Sequence, residues 1–186
     1  SVLFAREHPE RARALILYGS WARRVAGPGY PWGLQPAELD ALLDQMGAAW
    51  ATGEWWAGPP VSLDDDRHRR WWARYLRMSA SPSMARDLLR MNAGIDNRDV
   101  LPALRLPVLV LHRAADTWVD IGHARFLAAN LPCVRYVELP DTDHRLWLGD
   151  TAKILDEVQR FLLGPALRSR RRVTAARIVR SRAAAS

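Results

Sequence analysis

Three short apolar runs stand out along the chain: Ala14–Tyr18 (ALILY), Pro107–His112 (PVLVLH) and the less purely apolar Val134–Leu139 (VRYVEL). Runs of this length, closed by turn residues, predict strands buried on both faces, as in a parallel sheet. Elsewhere the hydrophobic period is helical. Over Ile121 to Leu131, Ala124, Leu127, Ala128 and Leu131 share one face. Over Thr151 to Leu163, Ile154, Leu155, Val158, Phe161 and Leu162 recur at helical spacing, with Asp150 or Thr151 as cap and Gly164 and Pro165 as stop. Val2 to Ala5 reads as the last turns of a helix whose start is not present, stopped by Pro9. Strand–helix–strand–helix order implies an α/β fold with right-handed crossovers.

Residues 20–106 interrupt this pattern. They carry loop punctuation (AGPGYPWG, AGPPVS, SASPS) and helical pieces near 36–51, 66–78 and 82–93. An insertion of about 85 residues far exceeds an ordinary connection and reads as a helical cap or lid over one end of the sheet. Seven of the nine tryptophans fall here: Trp21, Trp32, Trp50, Trp55, Trp56, Trp71 and Trp72. They are expected to form the cap's own core, and the alternative is an aromatic-lined apolar pocket. The expected division is a partial core at 1–19 and 107–164, a cap at 20–106 and a tail at 165–186.

Charge sharpens that division. The net charge of +7 equals the seven arginines of residues 165–186, which hold no acid. The body is neutral. The tail is expected to be solvated and disordered, and its functional alternative is weak attraction to nucleic acid or an anionic membrane, which needs only charge. A hydrophobic content of 49% suits a packed core. No apolar run approaches the ~20 residues of a membrane span, and no secretory signal pattern opens the chain. The single Cys133 excludes an internal disulfide framework and, lying just before a strand, is expected to be buried. A cytoplasmic location follows as the expectation.

Two residues have the context for chemistry. Asp116 lies four residues beyond the PVLVLH run, and His144 lies five beyond the third run. Loops past the carboxyl ends of parallel strands form the ligand crevice. An acid followed in sequence by a histidine matches the second half of the order Ser…Asp…His. There the carboxylate fixes the imidazole tautomer and the imidazole takes the nucleophile's proton. The nucleophile elbow G-x-S-x-G occurs nowhere in these residues. Ser20 follows a strand but lacks the elbow's flanking glycines, while Ser79, Ser81 and Ser83 fall in a cap turn. No cofactor or metal is expected, because His8, His68, His112 and His123 are scattered without ligand spacing. Asp64, Asp65 and Asp66 read as a solvated helix start.

With these residues placed, the chain resembles a known family. The stretches SVLFAREHPERARALILYGSWAR, YPWG, RRWWARYLRMSASPSMARDLLRMN, IDNRDVLPALRLPVLVLHRAADTWVDIGHARFLAANLP and RYVELPDTDHRLWLGDTAKILDEVQRFLLG carry the resemblance. They are similar to the C-terminal two-thirds of the α/β-hydrolase domain of actinobacterial proteins, where it often precedes a class III adenylate/guanylate cyclase domain. The resemblance implies a hydrolase fold whose last three strands and helical cap are present. It also implies that Asp116 is the triad acid, that His144 is the triad base, and that the elbow immediately precedes Ser1. Two positions depart from the family pattern. Asp141 stands where glycine is usual, at a backbone position open to positive φ, and Asp120 stands where proline is frequent.

Three readings follow. One is the acid-and-base part of a serine hydrolase acting on a small apolar ester, inactive alone without its nucleophile. The second is a non-catalytic ligand-sensing or regulatory domain of the cyclase-linked kind. The third is a truncated, degenerate gene product whose sheet has an unpaired hydrophobic edge and marginal stability.

Overall fold

The computed structural model describes residues 1–50, 52 and 66–164. The arginine-rich tail, Trp55, Trp56, Asp64 and Asp65 lie outside the described residues. Helix α1 (Val2–Glu7) leads into strand β1 (Leu15–Tyr18). Helices α2 (Pro36–Ala49), α3 (Asp66–Ser79) and α4 (Pro82–Ala93) and a 3-10 helix (Arg98–Ala103) follow. Strand β2 (Val108–Arg113), helix α5 (Ile121–Asn130), strand β3 (Val134–Leu139) and helix α6 (Thr151–Leu163) complete the order. The strands form one parallel sheet in the order β1-β2-β3. Leu15 pairs with Val108, and Val108 pairs with Val134.

The central strand explains the sequence pattern best. All six residues of β2 are buried. Val108 and Val110 enter a core with Val2, Leu17, Tyr30, Leu101 and Leu127, built by α1, the 3-10 helix and α5. Leu109 and Leu111 point the other way, onto Leu139, Ile154 and Phe161 beneath α6. A strand covered on both faces has no position for a polar residue until its end.

The outer strands depart from that expectation. Ile16 in β1 is 37% exposed, and among the described residues β1 pairs only with β2. Arg135 and Glu138 of β3 are exposed, which accounts for the mixed composition of that run. In α6, Ile154 and Phe161 are buried, but Leu155 and Leu162 are not. Leu162 lines an open groove with Phe4 and Leu15. Cys133 is exposed rather than buried. It occupies the turn between α5 and β3, where its carbonyl accepts from Val108 N–H at 2.8 Å. The backbone serves the sheet there and the thiol faces outward.

The inserted helices have a core of their own. Leu43, Met46, Leu76 and Ala85 meet there, with Trp50 and Trp72 against them. Trp50 Nε1–H donates to the Ala80 carbonyl at 3.0 Å. These two tryptophans fill core positions as expected. Trp71 is half exposed, and Trp32 packs on the sheet's core instead. Caps fix the helix starts: Gln35 with Glu38 on α2, Ser81 on α4, Asp120 on α5 and Asp150 on α6. Among the described residues no helix is long and apolar enough to cross a membrane.

Candidate active site

Asp116 and His144 meet at the carboxyl end of the sheet. Asp116 sits in the loop between β2 and α5. Its Oδ1 accepts from the N–H groups of Trp118 and Val119 at 2.8 and 3.1 Å. These bonds close a tight turn and leave Oδ2 for His144, whose Nδ1 lies 2.7 Å away. The Asp116 side chain is 1% exposed and that of His144 18%. Burial pushes the Asp116 carboxyl upward. The His144 hydrogen bond and the two N–H donors outweigh it and hold the group below its ordinary value. It is therefore ionised at neutral pH.

His144 is held in a slot. The Trp118 ring stacks on it, with centroids 5.8 Å apart and planes 11° from parallel. Tyr18 approaches at 6.4 Å. Gly19, the residue after β1, is also against the ring. A Cβ placed there would stand 2.5 Å from His144 Cε1, and the backbone takes φ +51. Only glycine fits both conditions. With Nδ1 committed to the acid, Nε2 is the ring atom left to exchange a proton with a third group.

A buried arginine holds the histidine's loop. Arg113, the last residue of β2, is 2% exposed. One terminal nitrogen donates to the carbonyls of Asp143 and Arg145 at 2.7 and 3.2 Å. The other donates to the Leu148 carbonyl. The guanidinium also lies 3.8 Å from Asp141 Oδ2. Asp141 has φ +130, the one positive-φ residue other than glycine among the described residues. An aspartate where the resemblance has glycine suggested an altered loop, yet the backbone keeps a positive φ here, with a charged partner beside the strained residue. Asp143 in turn accepts two bonds from the Arg145 guanidinium, both at 2.9 Å. The neighbouring loop adds Ala115 N–H to the Asp141 carbonyl (3.2 Å) and Thr117 N–H to the Thr142 carbonyl (3.3 Å). The sheet ladder thus continues into the site. Sequence reasoning missed Arg113; its one signal was a charge directly after an apolar run.

The other candidates stand apart. Ser20 Oγ donates to the Tyr18 carbonyl at 3.0 Å, back onto its own strand. Ser79 bonds within α3, and Ser81 and Ser83 bond each other at the start of α4. Asp120 accepts from Gly122 N–H and caps α5. His112 is buried, with Nε2 2.8 Å from the Val119 carbonyl and 3.7 Å from Asp116 Oδ2. His123 is buried too, with Nδ1 2.6 Å from the Tyr30 hydroxyl. Burial first, and then the field of Arg24, push the His123 imidazole down to about 4. Among the described residues no three His, Cys, Asp or Glu side chains stand in position to hold a metal ion.

Comparison with known proteins identifies the fold. No family model matches the chain. A solved esterase from Exiguobacterium antarcticum superposes with a TM-score of 0.74, at 20% identity, over 88% of this chain and 62% of that one. The chain has the α/β-hydrolase fold. Within that fold the three strands and their helices form a partial sheet. In sequence, the chain is 26% identical over 158 residues to a pimeloyl-[acyl-carrier protein] methyl ester esterase of Nitrosomonas europaea, covering 80% of this chain. It is 26% identical over 170 residues to the enzyme of the same description from Aromatoleum aromaticum, covering 84%. The chain spans 61% of the length of the former and 68% of the latter.

Proposed function

We propose that this chain is the acid-and-base part of an ester hydrolase of α/β-hydrolase fold. His144 is the general base and Asp116 the acid that orients it. The observation that carries the reading is the 2.7 Å bond from His144 Nδ1 to a buried, ionised Asp116. It leaves Nε2 with its lone pair beside Gly19. The same bond stabilises the imidazolium once a proton is taken. The two curated relatives, each described as a methyl ester esterase, support an ester as substrate class. The nucleophile is a serine outside residues 1–186, and the helices of 20–106 close over the crevice as a cap. Trp118 and Tyr18 give the base an aromatic surround suited to an apolar ester. No observation favours the cyclase-linked sensor over this reading.

Nitrogen-15 NMR of the imidazole rings tests the proposal. His144 is expected as the Nδ1–H tautomer with a strongly downfield ring proton, and Asp116→Ala should remove that signal. An Nε2–H tautomer in the unmodified chain would sink the reading. The chain alone should show no aryl-ester turnover that depends on His144. Turnover that survives His144→Ala would refute the assignment of the base.

A further inference from the structure

Arg23 and Arg24 are neighbours in sequence with opposite circumstances. Arg23 stands 3.6 Å from Asp96 Oδ2. Arg24 is half-buried, and its Nε is fully enclosed without a hydrogen-bond partner. Its guanidinium lies over the Trp21 ring, 4.4 Å from the centroid. The backbone fixes the position, because the Arg24 carbonyl accepts from Leu34 N–H at 3.0 Å. Trp21 in turn abuts His123, with centroids 6.4 Å apart. The charge of Arg24 is felt on two sides. It acts on His123, and it is itself acted on by Asp116. Trp21 and Arg24 follow the carboxyl end of β1, and Asp116 follows the carboxyl end of the parallel neighbour β2, so both lie at the same end of the sheet.

Enclosing a cation without a counter-ion is unfavourable, and stacking on one indole offsets only part of the lost hydration. Asp116 does not complete the pair, because its two oxygens already serve Trp118, Val119 and His144. A fixed, partly desolvated cation with unused donors is the arrangement that an incoming anion completes.

We infer that Arg24 and Trp21 form an anion subsite of the crevice, and that it takes the carboxylate of a small organic acid. The fork of one guanidinium matches one carboxylate. The ring of Trp21, stacked under the guanidinium, holds it in place and reports on what binds there. A single cation close to the negative Asp116 and to an uncharged His123 is poorly matched to a doubly charged phosphate. The subsite does not require His144 to act as a base. Where the ester-hydrolase reading holds, the carboxylate belongs to the same substrate as the ester.

Binding to the full chain tests this without any turnover. The Trp21 indole N–H, assigned with Trp21→Phe, is followed by NMR while benzoate, its uncharged isostere methyl benzoate, or inorganic phosphate is added. Benzoate should shift the signal saturably and bind about tenfold more tightly than methyl benzoate. Arg24→Met should remove that advantage, and Arg24→Lys should restore part of it. The subsite is overturned if benzoate gives no saturable shift, or if it binds no better than methyl benzoate. It is also overturned if Arg24→Met binds benzoate as the unmodified chain does. Tighter binding of phosphate than of benzoate would overturn the carboxylate class. If Arg24→Met does not fold, the benzoate and methyl benzoate arms on the unmodified chain decide the matter alone. Failure of the imidazole test would leave this result untouched, and failure here would leave the His144 assignment untouched.

Discussion

Two arginines sit near the same end of the sheet and are treated in opposite ways. Arg113, at the end of β2, spends its donors on three loop carbonyls and lies against Asp141. Arg24, beyond the end of β1, has an indole beneath it and nothing on its Nε. The first is a scaffold: a buried charge whose hydrogen bonds define the shape of a loop. The second is unsatisfied by its own protein. The difference shows that burial of a charge has no single meaning, and that the use of its donors separates a strut from a receptor.

The widest test of that contrast is removal of the strut. Arg113→Met should lower unfolding free energy by about 3 kcal/mol, because it strands several buried carbonyls. A loss under about 1 kcal/mol by urea denaturation would mean that the loop holds itself. Next comes pH. His123 is neutral in the fold down to about 4, against an ordinary value of 6.5. A depressed base contributes stability that is complete above about 6.5 and is lost as pH falls toward about 4, a change of about 3 kcal/mol. Asp116, also depressed, extends the loss below its ordinary 3.8. Urea midpoints between pH 7.5 and 4 should fall accordingly, and His123→Asn should flatten the upper part of the curve.

The third test reverses the sign of the first. Arg24→Met should raise stability by about 1 kcal/mol, since removal of an unpaired, partly buried cation outweighs the lost stacking on Trp21. A loss comparable to that of Arg113→Met would erase the distinction between the two. The smallest effect is at Asp141. Asp141→Gly should gain about 0.5 kcal/mol by relieving the strained φ, while Asp141→Ala keeps the strain, gives up the Arg113 contact and loses about 1 kcal/mol. Equal values for the two variants, read from thermal melts, would remove the strain from the account.

The residues nearest to β2 were the most legible in sequence. A strand covered on both faces can hold only apolar side chains, so PVLVLH announced itself. Asp116 and His144 were then located by counting beyond strand ends. β1 misled for the same reason in reverse. ALILY is as apolar as β2, yet Ile16 lies open because apolar composition does not say which strand is central. Cys133 misled because proximity to a strand is not membership of it. Arg113 and Arg24 were illegible for a different reason. Each reads as a charge just past an apolar run. What separates them is that three carbonyls fold back onto Arg113 from 30 to 35 residues away, while Arg24 meets the ring of Trp21, three residues before it. Asp141 misled as well: an aspartate in place of the usual glycine suggested an altered loop, yet the backbone there keeps a positive φ.

Gly19 carries a consequence for how this sequence can drift. The chain next to the imidazole has no spare volume and a handedness that favours glycine. Any replacement at this position must displace His144 before it disturbs the strand. Ser20, one residue on, bonds only its own strand and has no such duty. Two adjacent letters therefore answer to different pressures: one to the ring of His144, the other only to the turn. A lineage in which the His144 ring left this slot would be free to fill position 19, and an unaltered Gly19 beside a varied Ser20 would mark copies in which the ring keeps its place.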